Sequence, residues 1–141
     1  MAAPPLRRET RILVVDDEPE IRSVLELMLR DEGWAVGQAV SGIDALERCR
    51  DEPWDIVILD NMMPGVTGLD VARCLVAAKF SAPVVIFSAF IDSLLAAECE
   101  ALGLIPVDKI DWVDLIRTCR RLVGEQARSA GADRRPELAS V

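Results

Sequence analysis

The sequence predicts an α/β fold in which five parallel strands are flanked by five helices. Three observations point to it. Residues 11 to 123 alternate short apolar runs, turns and segments of helical spacing, which is the pattern of strand-helix-strand units. The third run, Ile56 to Leu59, is continuously apolar, as a strand covered on both faces should be. Polar residues suited to chemistry stand immediately after the runs rather than within them, where open parallel sheets build their sites.

The first strand is Ile12 to Val15. Pro19 then suits a first helical turn, and Ile21, Val24, Leu25, Met28 and Leu29 follow i, i+3, i+4, i+7, i+8 spacing up to Gly33, a helix-ending residue. Ala35 to Val40 forms a weaker second strand, followed by a helix over Ile43 to Arg50 that Ser41 can cap. Ile56 to Leu59 ends abruptly at Asp60. A Pro64-Gly65 turn precedes a helix from Leu69 to Ala78, and Val84 to Phe87 is the fourth strand. Ser93 to Leu102 reads as a helix and Ile105 to Val107 as a short fifth strand. Trp112 to Val123 is the last helix, with Leu115, Ile116, Cys119 and Leu122 on one face. The division expected is a flexible arm over residues 1–10, one folded unit over 11–123 and a flexible tail over 124–141.

Composition narrows the function. The chain is 51% hydrophobic and 28% charged, which disfavours disorder. No apolar run reaches the roughly 18 residues of a membrane span, and Met1 to Thr10 lacks the apolar segment of a secretory signal, so a cytoplasmic address is expected. Cys49, Cys74, Cys99 and Cys119 contain no CxxC pair and read as reduced core thiols. Histidine is absent, which excludes Ser-His-Asp and Cys-His catalysis and any phosphohistidine on this chain. Residues 11 to 123 carry 11 basic and 20 acidic side chains, a surface that disfavours nucleic acid.

After the first strand come Asp16, Asp17 and Glu18; after the third, Asp60; after the fourth, Ser88; after the fifth, Lys109. Alone, each has a plain explanation: an acidic helix-capping loop, a turn hydroxyl, a solvated lysine. Together at matching strand ends they do not. Converging carboxylates repel unless a hard cation sits among them, and Mg2+ prefers such oxygen ligands. An ammonium and a hydroxyl opposite them suit the oxygens of a phosphoryl group.

The motifs LVVDDEP (Leu13 to Pro19), ILDNMMPGVTGLD (Ile58 to Asp70) and VVIFSA (Val84 to Ala89), with Lys109, resemble those of response-regulator receiver domains. The resemblance covers residues 11–123 and implies a flavodoxin-like doubly wound sheet of order 2-1-3-4-5. It implies that Asp60 accepts a phosphoryl group from a phosphohistidine of a sensor kinase or histidine phosphotransfer protein, with Mg2+ as cofactor. Asp17, Asp60 and the Met62 backbone carbonyl would ligate the metal, Asp16 would act through water, and Ser88 and Lys109 would bind phosphoryl oxygens. Such a chain is a stand-alone signalling module with at most slow autodephosphorylation, not an ordinary enzyme. It would act on a downstream protein target without binding nucleic acid or membrane, and a homodimer would use the face of the fourth helix, fifth strand and fifth helix.

The sequence departs from the family where the signal leaves the site. Ile110 stands where Pro usually follows the lysine, and Pro106 where an aromatic usually precedes it by three residues. A cis bond before Ile110 would cost about 2.5 to 4 kcal/mol, so none is expected. Met62 and Phe90, two residues beyond Asp60 and Ser88, should flank the phosphoryl group, crowd the attacking water and prolong the phosphorylated state. Two rivals remain: a phosphorylation-independent interaction domain, and a haloacid-dehalogenase-type phosphohydrolase. The latter places its nucleophile in a DxD motif after the first strand, whereas Asp60 follows the third and position 62 is Met.

Overall fold

A computed structural model describes the backbone of residues 8–139 and the side chains through Ala130. Five strands and five helices alternate: β1 (Arg11–Val15), α1 (Pro19–Asp31), β2 (Ala35–Ala39), α2 (Gly42–Asp51), β3 (Ile56–Leu59), α3 (Gly68–Ala77), β4 (Val84–Ser88), α4 (Ser93–Leu102), β5 (Ile105–Asp108) and α5 (Trp112–Ala139). All neighbouring strands are parallel, in the order β2-β1-β3-β4-β5. Pro19 opens α1, and Ser41 caps α2 by accepting the Asp44 N–H.

Strand alternation divides the apolar residues into two layers. Leu13, Val15, Val57, Leu59 and Ile86 face Ala45 of α2, Val71 and Leu75 of α3, and Leu95 and Cys99 of α4. Ile12, Val14, Ile58, Val85 and Phe87 face Leu25 and Leu29 of α1 and Leu115 and Cys119 of α5. Full burial of each large aliphatic side chain contributes about 1.5–3 kcal/mol, so both faces of β3 and β4 are anchored. The register then aligns the carboxyl ends: Val15 is level with Leu59, Leu59 with Ile86, and Ser88 with Asp108. Residues just past these points are thereby brought side by side.

Pro106 sits in the edge strand β5. The Lys109 N–H donates to the Ser88 carbonyl, so by alternation the position of the missing Pro106 N–H faces away from β4 and no ladder bond is lost. No cis peptide occurs among the described residues.

The last helix corrects the sequence reading. It continues to Ala139 instead of ending at Val123, so 124–139, expected as a flexible tail, takes helical backbone. Apolar spacing stops at Leu122; Glu125, Gln126, Ala127 and Arg128 just beyond it are good helix formers, whereas Gly124, Gly131 and Pro136 are not. The Gln126 side-chain amide also donates to the Asp55 carbonyl at 2.8 Å, tying the extension to the root of β3. Of the expected arm, residues 1–7 lie outside the described residues. Arg8 pairs with Asp55, and the Thr10 carbonyl accepts the Ala35 N–H, so residues 8–10 contact the sheet. The cysteines are free, but Cys74 is exposed on α3 and is not a core thiol.

Candidate functional site

Four strand ends supply the site, and the sheet's own hydrogen bonds carry the chain into it. The Asp60 N–H donates to the Val15 carbonyl, Asp16 N–H to Ala39, and Lys109 N–H to Ser88. These bonds fix the backbone at each polar side chain. Asp16 and Asp60 are each only 2% exposed and Ser88 is fully buried, whereas Asp17 stands exposed at the mouth.

Lys109 joins the two buried carboxylates. Its Nζ lies 2.7 Å from Asp16 Oδ2 and 3.1 Å from Asp60 Oδ2. Asp16 Oδ1 accepts the Glu18 N–H at 2.9 Å, and Asp60 Oδ1 accepts the Met62 N–H at 3.0 Å. Ser88 Oγ accepts the Phe90 N–H in a long 3.5 Å contact, which leaves its own hydroxyl proton to donate elsewhere. The structure thus brings together Asp16, Asp17, Asp60 and Lys109 as sequence spacing suggests, with Ser88 at the adjoining end of β4. Met62 lies on the loop beyond Asp60 and is 66% exposed, and Phe90 on the loop beyond Ser88 is 73% exposed.

Burial pushes the Asp60 carboxyl above its ordinary range; the Met62 N–H and Lys109 oppose this, and the Asp16 charge adds to it. For Lys109, burial disfavours the ammonium, but hydrogen bonds and charge attraction from Asp16 and Asp60 outweigh it and the pKa is raised. Lys109 therefore stays protonated at neutral pH. One ammonium among three carboxylates leaves an excess of negative charge.

Carboxylate oxygens of Asp16, Asp17 and Asp60 lie within 4.8 Å of one another. A hard-oxygen donor set with surplus charge and an open side fits Mg2+, which keeps several waters when bound. Asp16 and Asp60 each have both oxygens engaged, by Glu18 and Lys109 and by Met62 and Lys109, whereas the exposed Asp17 carboxylate has no protein hydrogen bond among the described residues.

Two residues escaped the sequence reading. The Arg22 guanidinium donates to the Asp16 backbone carbonyl at 2.7 Å and to the Gln38 side chain at 3.0 Å, bracing the acidic turn from α1. Asn61 Oδ1 accepts the Leu69 N–H at 2.9 Å, across the loop between β3 and α3. Neither contact has a periodic or motif signal; both join residues brought close only by the folded chain.

Residues 12–107 match the family model of the response regulator receiver domain. Among curated proteins, the chain is 38% identical over 81 residues to the transcriptional regulatory protein ResD of Bacillus subtilis, covering 57% of this chain and 33% of that one. It is 40% identical over 84 residues to the DNA-binding response regulator MtrA of Mycolicibacterium smegmatis, covering 60% and 36%. The chain thus spans about a third of the length of these relatives. The response regulator TrrA of Thermotoga maritima, solved with Mg2+ and beryllofluoride, superposes with a TM-score of 0.72 at 34% identity, covering 80% of this chain and 98% of that one. TrrA has also been solved in complex with the histidine kinase ThkA; there the TM-score is 0.73 at 33% identity, with 80% and 97% covered.

Proposed function

The chain belongs to the response regulator receiver domain family, and from that premise we propose that Asp60 is its phosphoacceptor in two-component signalling. A carboxylate oxygen of Asp60 attacks the phosphorus of a partner's phosphohistidine. The new O–P bond forms as the P–N bond breaks, and the leaving imidazole nitrogen recovers its electron pair and takes up a proton. Asp17, Asp60 and the Met62 carbonyl, with Asp16 acting through water, would hold a Mg2+ ion, which would supply positive charge for the transferring oxygens. Lys109 then exchanges part of its contact with Asp60 for a phosphoryl oxygen, and the free hydroxyl proton of Ser88 serves another. The half-buried Lys109 ammonium bridging Asp16 and Asp60 is the observation that carries this reading.

The same premise assigns the partners. TrrA pairs with a histidine kinase, and a sensor kinase or phosphotransfer protein is the donor proposed for this chain. Residues 11–123 form the receiver unit, which acts in the cytoplasm as a binding switch and not as an enzyme of rapid turnover. Its output is a protein target, reached through the α4-β5-α5 face, which would also serve a homodimer. Nucleic acid is not its own ligand, given a net charge of −8. Among the described residues no helix is long and apolar enough to cross a membrane.

Incubation with a small-molecule phosphodonor and Mg2+ tests the assignment. Intact mass should rise by one phosphoryl group, and the gain should vanish in Asp60→Asn and on chelation of the metal. Turnover of phosphate monoesters instead would favour a hydrolase, and no response to beryllofluoride would leave only an interaction scaffold.

A further inference from the structure

We infer that Asn61 is a positioning residue for the Asp60–Met62 edge of the site, an inference that rests on the phosphoacceptor reading of Asp60. Its side-chain Oδ1 accepts the N–H of Leu69, the second residue of α3, at 2.9 Å. That amide is one of those a helix leaves without an internal partner at its start. The neighbouring amide, of Asp70, is satisfied separately by Thr67 Oγ1, and the Asp70 carboxylate returns the contact to the Thr67 N–H. The helix already has a complete capping box, so the Asn61 bond is additional and closes the loop across residues 61–69.

Everything around that loop is fixed. A Cβ on Gly68 would lie 2.4 Å from the Asp60 carbonyl oxygen and 2.9 Å from the Asn61 Cα, so α3 begins directly against the acceptor's own backbone. Gly42 of α2 leaves room for Val66, which a Cβ there would meet at 2.9 Å. Met63 and Leu69 are buried. Met62 is suspended between Asn61 and Met63. Its N–H holds Asp60 Oδ1 at 3.0 Å, and its carbonyl is the proposed metal ligand. Planar peptides leave little freedom there: with 61 and 63 anchored, both polar groups of Met62 are aimed. Released from Leu69, Asn61 would let the 61–62 peptide turn, and the acceptor oxygen and the carbonyl would lose their shared orientation.

The test is an NMR-monitored titration of the full chain with Mg2+ and then beryllofluoride, in the native protein and in Asn61→Leu, Asn61→Ala, Asn61→Asp and Thr67→Ala. Partners that orient metal ligands typically change affinity by 10–100-fold, so Mg2+ affinity should fall by about tenfold in Asn61→Leu and Asn61→Ala. The Met62 amide resonance should shift in the same two variants before any cation is added. Asn61→Asp keeps an acceptor oxygen and should restore both. Thr67→Ala frees the adjacent amide of the same helix and should leave Mg2+ affinity within about twofold of native, because it touches no metal ligand's support. Unchanged affinity in Asn61→Leu, or an equal fall in Thr67→Ala, would overturn the inference while native binding still upheld Asp60. If the native protein itself gave no Mg2+-dependent response, the Asp60 reading would fail and the positioning role with it.

Discussion

The Asp60 carboxyl stands in surroundings that resist its charge. Burial raises its pKa above the ordinary carboxylate value, and the Met62 N–H and Lys109 only partly compensate. For an acid whose folded pKa is raised, the folding penalty is present once pH exceeds the folded value and disappears as pH falls through it. Asn at position 60 removes the charge; its single Oδ1 can still accept the Met62 N–H, while Lys109 keeps its pairing with Asp16. Asp60→Asn should therefore stabilise the metal-free protein by about 1 kcal/mol at neutral pH, as functional sites often trade stability for activity. Urea unfolding should show that gain shrinking in acid; a variant less stable than native at neutral pH would contradict it. The large apolar side chains of Met62 and Phe90 stand on the two loops flanking Asp60 and Ser88. The expectation that they crowd the attacking water predicts that Met62→Asn with Phe90→Ala loses its acyl phosphate faster, by about tenfold where a polar group then orients the water. Equal decay rates in native and doubly substituted protein would remove that role. Asp16, Asp60, Ser88 and Lys109 were legible from sequence because strand ends announce themselves by where apolar runs stop. Arg22 and Asn61 were not, because their partners, the Asp16 carbonyl and the Leu69 amide, are backbone groups that no residue type marks.

At the scale of elements, the start of α3 matters most to the site. Gly68 is needed there for close approach and not for an unusual backbone angle, since its missing Cβ is what allows α3 to lie on the Asp60 peptide. The obstacle is backbone, which cannot swing aside. Gly68→Ala should cost about 1–3 kcal/mol, as overpacking generally does, and should weaken Mg2+ binding at the same time. Chemical denaturation paired with Mg2+ titration would check both; loss of stability alone would separate α3 packing from site geometry. Most elements could be read from periodicity because each apolar face is complete within its own segment. The α5 extension could not, since past the apolar stripe its described tie to the rest of the fold is the Gln126 contact with the Asp55 carbonyl, which no periodicity marks. Pro106 shows the converse: a residue that seems to break a strand is harmless when its missing N–H faces away from the sheet.

The whole molecule is one sheet with a packed layer on either side, and the acidic site sits where both layers end. Strands β1 and β3 lend residues to both layers, so loosening either one should loosen the other, and unfolding should be a single cooperative step. A ligand that binds only the folded site then stabilises the entire domain. At ten times its dissociation constant, Mg2+ adds about 1.4 kcal/mol. For a domain of this size that is a rise in Tm of about 5 °C. The rise should disappear in Asp17→Asn, which removes a proposed ligand while leaving the Asp16-Lys109-Asp60 pairing intact. Calorimetric scans with Mg2+ and with matched ionic strength from a monovalent salt separate binding from general screening of a −8 chain. An equal rise with the monovalent salt, or in Asp17→Asn, would mean that charge screening rather than a bound ion relieves the acidic end of the sheet.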